Sequence, residues 1–109
     1  MLTKLEDQIL MTVWKFNKEA YGVNIYQHLH EVTESNIALG VIYANLDRLE
    51  RKGYLKSYLG EPTAVRGGMR KKYFTITKMG RSALEKSKQI HDKIWQDFAV
   101  LSLLEGQTR

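Results

Sequence analysis

The sequence predicts a mostly α-helical domain carrying one small β-hairpin, and three observations predict it. Apolar residues recur at three- and four-residue steps in three successive segments before Gly53. After Gly53 the period falls to two, over Tyr54 to Leu59 and again over Lys72, Phe74 and Ile76. From Thr77 the helical period returns and runs to Leu101.

The first segment opens with Thr3 and Glu6, the T-x-x-E spacing of a capping box. Leu2, Leu5, Ile9, Val13 and Phe16 then place one apolar stripe on a helix that Asn17 and Lys18 end. A second helix is expected from about Tyr21 into the low thirties, with Ile25, Leu29 and Val32 on its inner side. Thr33 to Asn36 make a polar turn, in which Ser35 or Asn36 is the expected cap of the next helix. The third helix is expected over about Ile37 to Lys52, stopped by Gly53. Leu39, Ile42, Leu46 and Leu49 share one of its sides, whereas Gly40, Val41, Ala44, Asp47, Arg48 and Arg51 share the other. Two strands follow, joined by a loop punctuated by Gly60-Glu61-Pro62 and Gly67-Gly68. Thr77 is the expected N-cap of a long last helix with Leu84, Ser87, Ile90, His91, Ile94, Phe98 and Leu101 on one side. Val100 and Leu103 fall off that stripe, so the helix ends or buries a second face there.

At 109 residues the chain fits a single domain able to bury a modest core. The absence of cysteine excludes disulfides, thiolate metal sites and a Cys nucleophile. No apolar run is long enough for a signal peptide or a membrane span, so a cytoplasmic protein without membrane attachment is expected. The net charge is +5, and Arg66, Arg70, Lys71 and Lys72 lie in one stretch without an intervening acid. Positive charge concentrated in this way attracts a phosphate backbone or an anionic membrane, with a solvated hairpin tip as the plainer account.

Three helices followed by a basic β-ribbon is the order of a winged helix-turn-helix. A helix has the width of the DNA major groove, and residues near its N-terminus meet base edges there. Gly40 and Ala44 would let the third helix lie close to a duplex, and Tyr43 would reach a phosphate. Arg48 and Arg51 would pair with phosphates or with acids of their own domain. At the ribbon, Gly67 and Gly68 permit a tight turn that sets Arg70 and Lys71, with Lys72 beside them, against the backbone or minor groove. Each residue also has a plainer account. Tyr43 is half-buried core, Arg48 is paired with Asp47 or Glu50, and Gly40 relieves crowding against the second helix. The joint placement favours double-stranded DNA.

These residues resemble the PadR-like transcriptional regulators from Leu2 to about Leu84. The resemblance rests on Leu2-Thr3-Lys4-Leu5-Glu6, Ala20-Tyr21-Gly22-Val23-Asn24-Ile25 and the run from Leu39 to Gly53. Gly60-Glu61-Pro62-Thr63, the run from Arg66 to Phe74, and Thr77-Lys78-Met79-Gly80 extend it. It implies a homodimer, usually a repressor, with one reading helix and one wing per subunit. Residues 1–78 would form the winged unit and 79–109 the C-terminal dimerisation helix of the same compact body. Carried over by position, Ala38, Leu39, Gly40, Tyr43 and Ala44 are recognition-helix residues, and Arg66, Gly67, Gly68, Arg70 and Lys71 wing residues. Met69 stands where many relatives carry a further basic residue. Some members release DNA when a small planar hydrophobic compound binds near the last helix.

That helix hides its stripe most simply against a second copy. The expected interface residues are Ile90, His91, Ile94, Phe98 and Leu101, and two half-sites would lie about 34 Å apart on DNA. His91, Trp95 and Phe98 are also the candidate residues for sandwiching a planar hydrophobic effector, with plain interface packing as the simpler account. No enzyme signature is present. His28 and His30 point to different sides of a helix and cannot share a metal, which marks them as solvated surface residues and leaves no cofactor or metal site. The competing reading keeps the winged fold and gives it a protein or RNA partner.

Overall fold

The computed structural model describes residues 1–61 and 70–107. Helix α1 covers Lys4–Phe16 and starts in the expected capping box. The Thr3 hydroxyl accepts from the Glu6 N–H at 3.1 Å, and Glu6 Oε1 accepts from the Thr3 N–H at 2.8 Å. A 3₁₀ turn at Asn17–Glu19 leads into a two-residue strand, β1 at Ala20–Tyr21. Helix α2 then runs over Gly22–Thr33, as expected. Strand β1 is invisible to periodicity because it exists through its partner, Ala20 facing Phe74 and Tyr21 facing Tyr73.

Helix α3 covers Leu39–Arg51, shorter at both ends than expected. Its N-cap is Ala38, without a side-chain hydrogen bond, so neither Ser35 nor Asn36 caps it. Its C-terminus closes as expected. Gly53 sits at φ +83°, its N–H bonds the Glu50 carbonyl, and the Tyr54 N–H bonds the Leu49 carbonyl. That pair of bonds is a Schellman closure, which needs the left-handed conformation Gly adopts at no steric cost. Strands β2 (Leu55–Leu59) and β3 (Lys72–Ile76) pair antiparallel from Leu55↔Ile76 to Leu59↔Lys72. The sheet order is β1-β3-β2.

The core forms where α1, α2, α3 and the sheet meet. Ile9 and Val13 of α1, Ile25 of α2, and Ile42, Leu46 and Leu49 of α3 are fully buried there. With Leu29 of α2, also buried, each set repeats at three or four residues, so burying one face of each helix fixes how the three pack. Val32 departs from the expected stripe and is 64% exposed, one residue before α2 ends. His28 and His30 depart in the other direction. Both are half-buried, with ring centroids 5.2 Å from Phe16 and 4.6 Å from Tyr26 respectively.

The last helix is broken. Helix α4 runs over Lys78–Trp95, Gln96 and Asp97 turn, and α5 runs over Phe98–Gln107. The apolar stripe accordingly has two fates. Leu84 packs against the core, and the Ser87 hydroxyl donates to Asp7 Oδ2 of α1 at 2.7 Å. Beyond Ile90 every described residue is exposed. This projecting arm gives the chain extents of 66 × 28 × 20 Å. Its radius of gyration is 17.6 Å, where a compact chain of this length has about 13 Å.

Candidate nucleic-acid interface

The outer face of α3 is open. Ala38, Gly40, Ala44, Arg48 and Arg51 are exposed, Leu39 is half-buried, and Tyr43 is 45% exposed. A Cβ built on Gly40 meets nothing within 4 Å, so crowding against α2 does not explain this glycine. Arg51 pairs with Asp47 at 3.0 Å along the helix, a surface ion pair. Arg48, by contrast, has no ion pair among the described residues. Its nearest hydrogen-bonding partner is Asn45 Oδ1 at 3.4 Å. Asn45 itself is buried and donates to the Val41 carbonyl at 2.8 Å, a polar residue within the inward face that the apolar pattern did not mark.

The hairpin supplies the second half. Arg70 and Lys71 are exposed at the start of its returning arm. Lys72 is engaged within the domain, 3.4 Å from Glu50, whose carboxylate also accepts from the Ser57 hydroxyl. The Ser57 hydrogen bond, aided by the Lys72 charge, outweighs desolvation and holds the Glu50 pKa below the ordinary glutamate value. Arg66, Gly67 and Gly68 lie outside the described residues, as does Met69.

The two halves converge at Tyr21 and Gly22. A Cβ at Gly22 would fall 2.3 Å from the Tyr43 ring, so the phenol of α3 lies directly over the first residue of α2. The neighbouring Tyr21 ring carries the Lys71 ammonium 4.3 Å from its centroid. One dipeptide thus touches both the outer face of α3 and the cation of the hairpin. Periodicity did not single out this junction. Its only trace in the sequence is the Tyr21-Gly22 dipeptide, a bulky aromatic beside the smallest residue.

The family model described as the transcriptional regulator PadR-like family matches residues 9–86, the α1-to-α4 core just described. The chain belongs to that family. Its PadR-like fold is shared by solved structures. A PadR-like transcriptional regulator from Bacillus cereus is 27% identical, with a TM-score of 0.71 over 92% of this chain and 90% of that one. A PadR family transcription regulator from Clostridium difficile is 28% identical, with a TM-score of 0.66 over 86% and 97% of the two chains. Bacillus subtilis PadR, solved in complex with operator DNA, is 23% identical, with a TM-score of 0.65 over 79% of this chain and 47% of that one. No curated protein matches in sequence.

In this PadR-like chain the remaining candidate residues lie along the arm. Ile90 is half-buried, and His91 and Ile94 are exposed, all on α4. Trp95 is 53% exposed, with the His91 ring stacked 5.9 Å away and the Phe98 ring at 5.3 Å. These three rings bridge the break between α4 and α5, with Leu101 one turn further on. Among the described residues, no group of three or more His, Cys, Asp or Glu is placed to hold a metal ion, and no helix is long and apolar enough to cross a membrane.

Proposed function

We propose that this chain is a sequence-specific regulator that binds double-stranded DNA as a homodimer and represses transcription by occupying an inverted repeat. The observation that carries this reading is the convergence of the open α3 face and the Lys71 cation on Tyr21-Gly22. A groove-reading surface must be slim where it meets base edges and positive where it meets phosphates. Gly40 and Ala44 supply the first, Tyr43 supplies a phenol, and Arg48, Arg70 and Lys71 supply cations not paired to acids among the described residues. The operator complex of Bacillus subtilis PadR adds a DNA-bound example of the same fold. Selection of bound duplexes from a random pool, followed by sequencing, tests this reading. Enrichment of a palindrome with half-sites about one helical turn apart supports it. Recovery of random sequence at near-physiological salt overturns it.

The arm supports the homodimer and the effector. Ile94, Phe98 and Leu101 leave large apolar surfaces in water, which a twofold partner would cover. Two copies of the His91–Trp95–Phe98 cluster meeting across the axis would form a slot for a planar hydrophobic molecule, whose binding releases DNA by shifting the two reading helices. Trp fluorescence during titration with planar dyes should change in the wild type and not in Trp95→Ala, where Trp14 remains as a reference. Equal responses in both proteins remove the effector site.

A further inference from the structure

Lysine is a poor tool for fixed contacts, because its four-carbon stem is flexible and its ammonium has no preferred plane. A lysine that must meet one phosphate gains from a support that narrows its conformations before binding. Lys71 has such a support. Its ammonium lies over the Tyr21 face, inside the range in which the ring quadrupole attracts a cation.

The ring is itself held. Tyr73, opposite Tyr21 in the ladder, meets it edge-to-face at 5.7 Å and 77°. Tyr58, opposite Tyr73 on the other side, stacks on it at 5.4 Å and 19°. The Tyr58 hydroxyl donates to the Lys18 carbonyl, so the row of three tyrosines is tied at its far end to the turn after α1. Tyr73 also lies over Gly60, where a Cβ would fall 2.5 Å from the ring. The Tyr21 N–H donates to Asn24 Oδ1 at 2.8 Å, and Asn24 donates to the Glu19 carbonyl at 2.9 Å. Backbone and ring of Tyr21 are thereby both fixed relative to α2, on which Tyr43 of α3 rests.

We infer that Tyr21 is a positioning residue for the wing. It touches no DNA itself and sets where Lys71 meets the phosphate backbone relative to the helix lying in the groove. The inference rests on the DNA-binding reading above. It goes beyond that reading by assigning to the β1 tyrosine a role in aiming a cation that belongs to another strand.

The test is a double-mutant cycle on the full chain, read as salt titrations of binding to the selected duplex. Lys71→Ala is expected to weaken binding roughly fivefold and to lower the log–log salt slope by about one unit. Tyr21→Leu is expected to reproduce at least half of that loss, Tyr21→Phe to keep wild-type affinity, and Tyr21→Leu added to Lys71→Ala to cost nothing more. A merely structural tyrosine would instead give losses that add. Additive losses, or wild-type binding by Tyr21→Leu, overturn the inference while leaving the wing contact standing. Lack of any effect from Lys71→Ala overturns both. Should Tyr21→Leu not fold, pentafluorophenylalanine at position 21 keeps the ring shape and reverses its quadrupole. Weaker binding than Tyr21→Phe is then expected, and equal binding overturns the inference.

Discussion

Gly40 is a glycine that the fold does not need. It is the second residue of α3, in the first turn, and a Cβ built there would meet nothing within 4 Å. Gly40→Leu is therefore expected to keep the wild-type melting temperature or raise it, and to lose operator affinity by more than about tenfold as the side chain collides with the duplex. Calorimetry together with a binding titration checks this, and unchanged affinity in the folded variant refutes close approach of α3. Glu6 shows the opposite case, a residue that the fold needs and DNA does not. It is 2% exposed, and Lys52 at the end of α3 reaches its Oε2 at 3.3 Å. Burial pushes its pKa up, but the Thr3 N–H and the Lys52 ammonium together leave it below the ordinary glutamate value. A lowered carboxylate pKa stabilises the fold above the unfolded value, roughly pH 4.3, and that contribution is lost as pH falls through the folded value. In Lys52→Met the loss should begin at higher pH, so the acid-unfolding midpoint moves up. An unmoved midpoint in circular dichroism would show that the pair contributes nothing.

At the scale of elements, α4 is set against α3 by a small clamp. The Thr77 hydroxyl donates to the Gly53 carbonyl at 2.6 Å and accepts from the Gly80 N–H at 3.0 Å, while the Thr77 N–H bonds the Tyr54 carbonyl. Gly80 is where this clamp closes most tightly, since a Cβ there would fall 2.2 Å from the Tyr54 carbonyl oxygen. Backbone cannot step aside as a side-chain tip does. Gly80→Ala is expected to cost about 1–3 kcal/mol, visible as a shift of the urea midpoint. A midpoint unchanged from wild type would mean that α4 docks more loosely than this geometry. The elements legible in the sequence are those with local causes, such as the α1 capping box, the Gly53 stop, the α3 stripe and the alternation of β2 and β3. What was not legible depends on partners distant in the chain. Strand β1 needs β3, Lys72 is drawn to Glu50 by the return of the hairpin, and Ala38 caps α3 because the chain enters from α2 in an extended conformation. The break at Gln96–Asp97 has no proline or glycine to announce it.

At the scale of the molecule, the candidate DNA face and the arm divide the work. Helix α5 buries none of its residues, and Phe98, Val100, Leu101, Leu103 and Leu104 are all more than half exposed. Apolar residues on every side of a helix call for cover on every side. Phe98→Glu combined with Leu101→Glu should give monomers by light scattering at micromolar concentration and leave the melting of the winged unit nearly intact. An unchanged dimer mass would move the interface elsewhere. In this molecule the open α3 face and the hairpin cations would meet the same duplex together. The chain has no cysteine, so single cysteines can be introduced by Ala44→Cys, Arg70→Cys and Met11→Cys and their alkylation rates compared with and without the selected duplex. Saturating duplex is expected to slow alkylation at both positions 44 and 70 and to leave position 11 unchanged. Protection of position 44 without position 70, or the reverse, would contradict that joint contact.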